Sequence, residues 1–226
     1  MSEPAVSFRE IARRWLVANA VSIFALSVNG WISFAMYALW DVGHAEPGSA
    51  QRIAYATVAA ALSVIWSAIF ARLTGPVLRL VVPALSQHKW LIANLAIGLA
   101  SALGDIVWVY QRSSAELRSW TDLGAGKLVS FLVAVVLVGG FLGLLAGAAQ
   151  VLALKSAAVG VRTWRLMSAA SGSLTGLTIL AGIALLPNAT PVANEVGTQV
   201  IGAIAEGISA IVMLPALRRL EPRGYG

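Results

Sequence analysis

Six long apolar stretches, joined by short charged or turn-rich segments, make up most of this 226-residue chain. A helix crosses the hydrocarbon core of a bilayer with about 20 predominantly apolar residues, and each stretch reaches that length. We therefore predict an all-α integral membrane protein in which residues 1–226 form a single transmembrane domain with six transmembrane helices. The predicted spans are 15–40, 53–73, 90–110, 125–154, 163–187 and 192–217.

The composition favours the bilayer as the solvent of this chain. Charged residues make up 12% of the sequence and apolar residues 58%, whereas soluble domains contain about 25% and about 45–50%. Arg9, Arg13 and Arg14 precede the first stretch and resemble the start of a signal peptide. That stretch is longer than the apolar region of a signal peptide, which has about 7–15 residues, so we interpret it as a retained helix.

The residues that are missing disfavour several chemistries. The sequence contains no cysteine, and its two histidines, His44 and His88, lie outside the apolar stretches. Thiolate and histidine metal sites are therefore not expected, and neither is a histidine-bound haem. The chain has no GxSxG, HExxH or phosphate-binding loop motif, and no serine has an evident activating base. We predict that the protein is not an enzyme and binds no metal; no cofactor is evident.

The distribution of lysine and arginine predicts the orientation. With six crossings, twelve basic residues fall on the side of the two termini and four on the other side. Because cytoplasmic loops carry the excess of basic residues, both termini are predicted to be cytoplasmic, in a bacterial inner (cytoplasmic) membrane. The twelve are Arg9, Arg13, Arg14, Arg72, Arg79, Lys89, Lys155, Arg162, Arg165, Arg218, Arg219 and Arg223, and the four are Arg52, Arg112, Arg118 and Lys127.

Two heptads of the chain are nearly identical. RRWLVAN covers 13–19 and HKWLIAN covers 88–94, while a weaker copy, RTWRLMS, covers 162–168. Each copy opens a predicted span with a tryptophan behind basic residues. At headgroup depth such rings form the aromatic belt of a membrane protein. We therefore predict three interface aromatics, which are Trp15, Trp90 and Trp164.

The spacing of these heptads predicts three repeated helical hairpins of the same orientation around a pseudo-threefold axis. The repeats would cover 13–87, 88–161 and 162–226. A simpler alternative is that every cytoplasmic helix end independently favours basic residues and a tryptophan. The third copy also departs from the other two, because it ends in Ser168 where they end in asparagine.

Glycines at four-residue intervals predict close helix packing. In lipid, helices associate where small residues let their backbones approach. The fourth and fifth spans offer such grooves, and we predict a packing role for their glycines. The residues concerned are Gly139, Gly143, Gly147, Gly172 and Gly176.

Polar side chains recur on one face of four predicted helices. Since an unsatisfied polar group in hydrocarbon costs several kcal/mol, these faces are predicted to point at one another or at water. Helices one, three, five and six would then line a polar interior, with helices two and four at its periphery. The simpler interpretation is hydrogen bonding between helices, which we favour for serine and threonine. The faces comprise Asn19, Ser22, Asn29 and Ser33; Asn94, Gly98, Ser101 and Asp105; Ser168, Ser171, Thr175 and Thr178; and Glu195, Gln199, Gly202, Glu206 and Ser209.

Two carboxylates within the spans have different predicted roles. Asp105 lies near the external end of the third span, where Lys127 can reach it, so a structural ion pair is favoured. Glu206 lies near the middle of the sixth span, and no basic residue occupies that depth elsewhere. A charge there costs at least about 2.5–3.5 kcal/mol. We predict that Glu206 is protonated, hydrated in a cavity or bonded to a side chain such as Gln199.

Two functions fit these patterns. The first is binding or translocation of a small solute or ion through the polar interior, since transporters commonly place such sites near the bilayer midplane. The second is a non-catalytic accessory or scaffold subunit of a larger membrane complex, which binds partner proteins, lipid or pigment. The expected partners are the lipid bilayer and either other membrane proteins or further copies of this chain, and no nucleic acid. The candidate ligand- or proton-binding residues are Glu206, Gln199, Asn19, Asn29, Asn94 and Asp105.

Overall fold

The computed structural model describes residues 6–42, 44–46, 48–111, 125–185 and 191–223, and these are almost entirely helical. One short antiparallel pair, β1 (Ala158–Val159) with β2 (Glu221–Pro222), joins the loop after α4 to the C-terminal segment. The helices are α1 (Phe8–Leu39), α2 (Ala50–Val81), α3 (Gln87–Gln111), α4 (Ala125–Leu154), α5 (Val161–Leu185), α6 (Pro191–Val212) and α7 (Leu214–Arg219).

Apolar helices make this chain a membrane protein. Within the described ranges, four helical segments are long and apolar enough to cross a bilayer, which needs about 20 such residues. The segments are Phe8–Leu39, Ala50–Val81, Val133–Leu154 and Gln199–Arg219. Helices α3 and α5 are not among these four, so the six crossings stay a prediction.

The helix ends follow from capping residues and prolines. Ser7 and Ser49 precede α1 and α2, and each side chain accepts a hydrogen bond from the backbone N–H three residues on. Helix α2 continues past the predicted end of the second span at residue 73, and through Pro76, to Val81. Helix α6 gives way at Met213 to α7, in whose first turn Pro215 lacks the N–H of a continuous helix.

The six long helices form a closed ring. Each packs against the next along the chain, and α6 packs against α1. The first turns of α1, α3 and α5 therefore lie at the same end of the bundle as the last turns of α2, α4 and α6. The apolar cluster buried among the described side chains lies at this end. We call this the tryptophan end. The largest side chains buried within it are Trp15, Trp90, Trp164, Leu78, Leu154 and Leu217.

The C-terminal segment is fastened to the tryptophan end. Beyond the β1–β2 pair, the backbone N–H of Arg223 donates to the carbonyl of Ala157 over 2.9 Å. Gly160 follows β1 with a positive φ of 79°, which favours glycine, and a Cβ there would collide with the carbonyl oxygen of Arg219. The loop between α4 and α5 is thus held by the end of the chain.

Helices α4 and α5 pack through glycines. A Cβ on Gly139 would lie 2.5 Å from the carbonyl oxygen of Gly172, and one on Gly143 would collide with the carbonyl oxygen of Ser168. Gly147 faces the side chain of Ser168, and Gly176 faces Val135. All five glycines singled out in the sequence thus lie at this contact, where the two backbones approach closely.

Candidate functional site

Three buried indole rings occupy the centre of the tryptophan end. The rings of Trp15 and Trp164 have centroids 5.9 Å apart with planes at 81°, and those of Trp90 and Trp164 are 5.9 Å apart at 84°. Both are edge-to-face contacts of the kind that aromatic pairs prefer. The three side chains are only 1%, 0% and 1% exposed. They were predicted to lie among lipid headgroups, but the structure places them inside the bundle, because α1, α3 and α5 bring them together.

The backbone carbonyl of each tryptophan accepts a hydrogen bond from the side chain four residues on. Asn19 Nδ2 donates to the carbonyl of Trp15 over 2.8 Å, and Asn94 Nδ2 donates to that of Trp90 over 2.8 Å. On α5, Ser168 Oγ donates to the carbonyl of Trp164 over 2.9 Å. Serine therefore makes the bond that asparagine makes in the other two helices.

Each indole N–H is bonded to the helix that precedes its own around the ring. Trp15 Nε1 donates to the carbonyl of Ala210 on α6, over 3.0 Å. Trp90 Nε1 donates to the Thr74 hydroxyl on α2, over 3.1 Å. Trp164 Nε1 donates to Gln150 Oε1 on α4, over 2.8 Å. The three rings thus tie all six long helices together, with each buried donor satisfied.

Gln150 is a central residue that sequence reasoning missed. Besides accepting from Trp164, it donates through Nε2 to Asn94 Oδ1 over 3.0 Å, so α3, α4 and α5 share one hydrogen-bond chain. The available signal was a single amide side chain in the otherwise apolar second half of α4. Helix α4 was assigned to the periphery, yet it supplies this link.

The polar residues of α1 divide between two surroundings. Asn19 and Ser22 are buried. Asn29 was predicted to line the interior, but its Nδ2 donates to the carbonyl of Leu62 on α2 over 3.2 Å, so it joins two neighbouring helices. The Ser22 carbonyl accepts from Trp66 Nε1 over 3.1 Å. The Ser22 hydroxyl is buried and has no hydrogen-bond partner among the residues described here.

Glu206 lies on the inward face of α6. It precedes the buried residues Ala210, Met213 and Leu217 by four, seven and eleven positions, which is the spacing of one helical face. Ile204, on the opposite face, is 52% exposed. Since Ala210 receives the Trp15 indole, Glu206 lies one helical turn beyond the tryptophan layer. Within the described ranges, its half-buried carboxylate makes no hydrogen bond or ion pair.

Two further contacts join α6 to its neighbours. The side chain of Gln199 lies over Gly30 of α1, and a Cβ on that glycine would collide with the amide. The hydroxyls of Thr175 on α5 and Ser209 on α6 lie 3.0 Å apart, within hydrogen-bond distance. Gln199 and Glu206 therefore lie on the same inward face of α6. Because Gly30 has no side chain, it leaves room for the Gln199 amide.

Burial of the polar faces falls with distance from the tryptophan layer. Asn94 is 3% exposed, whereas Ser101, one heptad further along the same face of α3, is exposed. On α5, Ser168 is buried while Thr175, again one heptad on, is half-buried. The polar faces are thus closed at the tryptophan end and more open beyond it.

The predicted Asp105–Lys127 ion pair falls outside what the structure describes. The backbones of the two residues belong to α3 and α4, but their side chains are not among those described. The role of Asp105 as a ligand candidate stands as a prediction for the same reason.

The described groups suit hydrogen bonding to a small polar ligand, and their oxygen atoms suit coordination of a cation. They are amides, hydroxyls and one carboxylate, and in this part of the chain no cluster of three or more His, Cys, Asp or Glu side chains could hold a metal ion. Comparisons with protein families, characterised proteins and solved structures find no match for this chain. The fold and the site define a helical membrane protein in which polar side chains lie about one helical turn beyond a buried tryptophan cluster.

Proposed function

We propose that the chain crosses a bacterial inner membrane six times, with both termini cytoplasmic, as three repeated helical hairpins. The repeat is supported by the matching bonds around Trp15, Trp90 and Trp164, each of which joins its own helix to the preceding one in the ring. Pairing α6 with α1 closes this pattern, as a pseudo-threefold axis along the membrane normal requires. The excess of basic residues at the tryptophan end supports the orientation.

This protein binds and translocates a small polar solute or a cation through an interior lined by α1, α3, α5 and α6. The observation that carries the proposal is the position of Glu206, an inward-facing carboxylate one turn beyond the tryptophan layer without a partner in the described part of the chain. Ionisable residues within membrane helices are expensive and mark ion or proton pathways. Asn19, Asn94 and Ser168 border the same level, one turn beyond their own tryptophans.

The tryptophan layer acts as the closed end of the pathway. A solute enters from the opposite end of the bundle and meets the carboxylate of Glu206 before the indole rings. Passage to the cytoplasm requires the edge-to-face contacts of Trp164 to separate. Alternating access by relative movement of repeats supplies such a separation in many carriers.

A flux measurement in liposomes tests this function. Purified protein is reconstituted, and uptake of H⁺, Na⁺ and K⁺ is followed for the wild type and for Glu206→Gln, with the exposed loop variant Glu46→Gln as the matched control. We expect flux of at least one cation in the wild type and the control, and a reduction of about tenfold or more in Glu206→Gln, because one contact to a charged group is worth about 1.5–3 kcal/mol. Equal flux in all three proteins would refute the role of Glu206.

A second function is favoured by the outer face of α4. Leu137, Phe141 and Leu145 lie at four-residue intervals and are 66%, 59% and 50% exposed, opposite the glycines that pack on α5. This apolar face suits lipid or another membrane protein, as an accessory or scaffold subunit requires. Absence of flux in the wild type, together with a protein that co-purifies in fixed ratio, would favour this subunit role over transport.

A further inference from the structure

A groove between α1 and α2 opens on the outer surface of the bundle near the tryptophan end. Its volume is about 400 Å³, within the range of about 300–1,000 Å³ typical of small-molecule pockets. The walls are apolar, and one end carries two arginines. The lining residues are Arg13, Arg14, Val17, Ala18, Val21, Leu73 and Val77.

The apolar walls of the groove face lipid. Val17 and Val21 lie one turn apart on α1 and are 57% and 48% exposed, while Leu73 and Val77 lie one turn apart on α2. The groove therefore follows the helix axes, as a hydrocarbon chain in a bilayer does. Its basic end lies at the start of α1, where a chain end meets the headgroups.

The two arginines keep an excess of positive charge. Arg13 binds the Glu10 carboxylate through Nε and Nη2, both at 2.9 Å, whereas Arg14 binds it only through Nε, at 2.7 Å. One carboxylate neutralises one of the two guanidiniums. Arg14 is 53% exposed, and in the described part of the chain its terminal nitrogens make no hydrogen bond. They remain available to an anion.

We propose that this groove is a binding site for an anionic phospholipid, with one acyl chain along Val17, Val21 and Val77 and the phosphate at Arg14. Charge complementarity selects the occupant, because a guanidinium pairs with phosphate in bidentate geometry and an apolar groove leads directly from it. Basic pockets between membrane helices on the cytoplasmic side bind such headgroups. The site goes beyond the proposed function and does not depend on it, since a subunit without transport activity would bind the lipid equally well.

Lipid titration of the purified protein in a neutral detergent tests the proposal. Phosphatidylglycerol and phosphatidylcholine with identical chains are compared by native mass spectrometry, and glycerol 3-phosphate serves as the headgroup without chains. We expect phosphatidylglycerol to bind about fivefold or more tightly than phosphatidylcholine, since one surface arginine contributes about that factor toward anionic lipid. Glycerol 3-phosphate is expected not to displace it.

Four variants locate the site. Arg14→Gln is expected to weaken phosphatidylglycerol binding about fivefold, and Glu10→Gln to strengthen it by a similar factor, because it removes the competing carboxylate. Val21→Trp fills the groove and lowers binding of both lipids. Arg162→Gln, an exposed arginine at the start of α5, is the control and leaves binding unchanged.

The gain in Glu10→Gln cannot arise from a misfolded protein, so the proposal remains testable even if another variant fails to fold. Equal affinity for the two lipids would overturn the proposal. Loss of affinity in Arg162→Gln equal to that in Arg14→Gln would also overturn it, since binding would then follow the general surface charge. Displacement by glycerol 3-phosphate would reassign the groove to a free phosphate.

Discussion

The tryptophan end and the middle of the bundle use the same kinds of residues differently. At the tryptophan end, Asn19, Asn94 and Ser168 are buried and donate to backbone carbonyls, and the indole N–H groups are bonded to neighbouring helices. Beyond that layer, Glu206 is half-buried and Ser101 is exposed. Polar side chains therefore serve as internal bonds at the tryptophan end and remain more accessible in the middle of the bundle. A repeated polar residue does not by itself indicate which role it has.

This difference also separates stability from the proposed function. Among the side chains that the structure describes, the buried apolar cluster lies at the tryptophan end, where the C-terminal segment adds the β1–β2 pair and the Arg223 bond. Elements that move or bind ligands come from the regions with fewer buried contacts. We therefore expect substitutions at the tryptophan end to act mainly on unfolding, and substitutions at Glu206 to act mainly on flux.

The largest expected effect is that of Trp164→Ala. Trp164 makes both edge-to-face contacts of the cluster and donates to Gln150, so its loss leaves a cavity and an unpaired amide. Truncation of a buried tryptophan costs about 3–5 kcal/mol of unfolding free energy. Unfolding in detergent, followed by circular dichroism, measures it. The control is Trp31→Ala, whose ring is 41% exposed and contacts only Phe34 among the ring pairs described. Equal losses in the two variants would contradict the contrast between the two regions.

The α4–α5 contact provides the second test, with the same substitution at two positions. In Gly143→Ala the new Cβ meets the Ser168 carbonyl and the Gly172 backbone, so the helices must separate. Such overpacking costs about 1–3 kcal/mol. In Gly207→Ala the new Cβ meets nothing within 4 Å, and stability is expected to stay constant or rise. Chemical unfolding of both variants under identical conditions measures the difference in stability. Similar stability of the two variants would mean that the close approach of α4 and α5 is not needed.

The apolar stretches were sufficient to predict helices, but neither which helices pack together nor the rotation of each helix about its axis. A tryptophan behind basic residues fits a headgroup position and an inter-helix contact equally well, so the burial of Trp15, Trp90 and Trp164 could not be read from spacing. The position of Asn29 toward α2 was missed for the same reason. Strands of two residues, such as β1, have no periodicity to detect.

The structure also gives a physical reason for the weak third copy of the heptad. Ser168 faces the glycines of α4, and a Cβ on Gly147 would lie only 2.7 Å from the Ser168 Cβ. An asparagine at this position would have to fit where the α4 and α5 backbones approach closely. Serine is small enough, and its hydroxyl still reaches the Trp164 carbonyl over 2.9 Å. The departure from the pattern therefore reflects the α4–α5 contact.

The smallest expected effects are those of the three residues that donate to tryptophan carbonyls. The order of their effects on unfolding tests where the structural region ends. A hydrogen bond between side chains in membrane helices is worth about 0.6 kcal/mol. Asn94 donates to Trp90 and accepts from Gln150, whereas Asn19 makes one bond, to Trp15. The single Ser168 hydroxyl proton serves both the Trp164 carbonyl and Met213 Sδ, which lies 3.8 Å away. Only the Gln150–Asn94 bond joins two helices, while the bonds to tryptophan carbonyls lie within one helix and contribute less. Asn94→Ala is therefore expected to lower the unfolding free energy by about 0.6 kcal/mol more than Asn19→Ala or Ser168→Ala does. Parallel unfolding of the three variants measures the order. If Asn19→Ala instead cost the most stability and also abolished cation flux in liposomes, Asn19 would belong to the ligand site and the boundary between the two regions would lie nearer the indole rings.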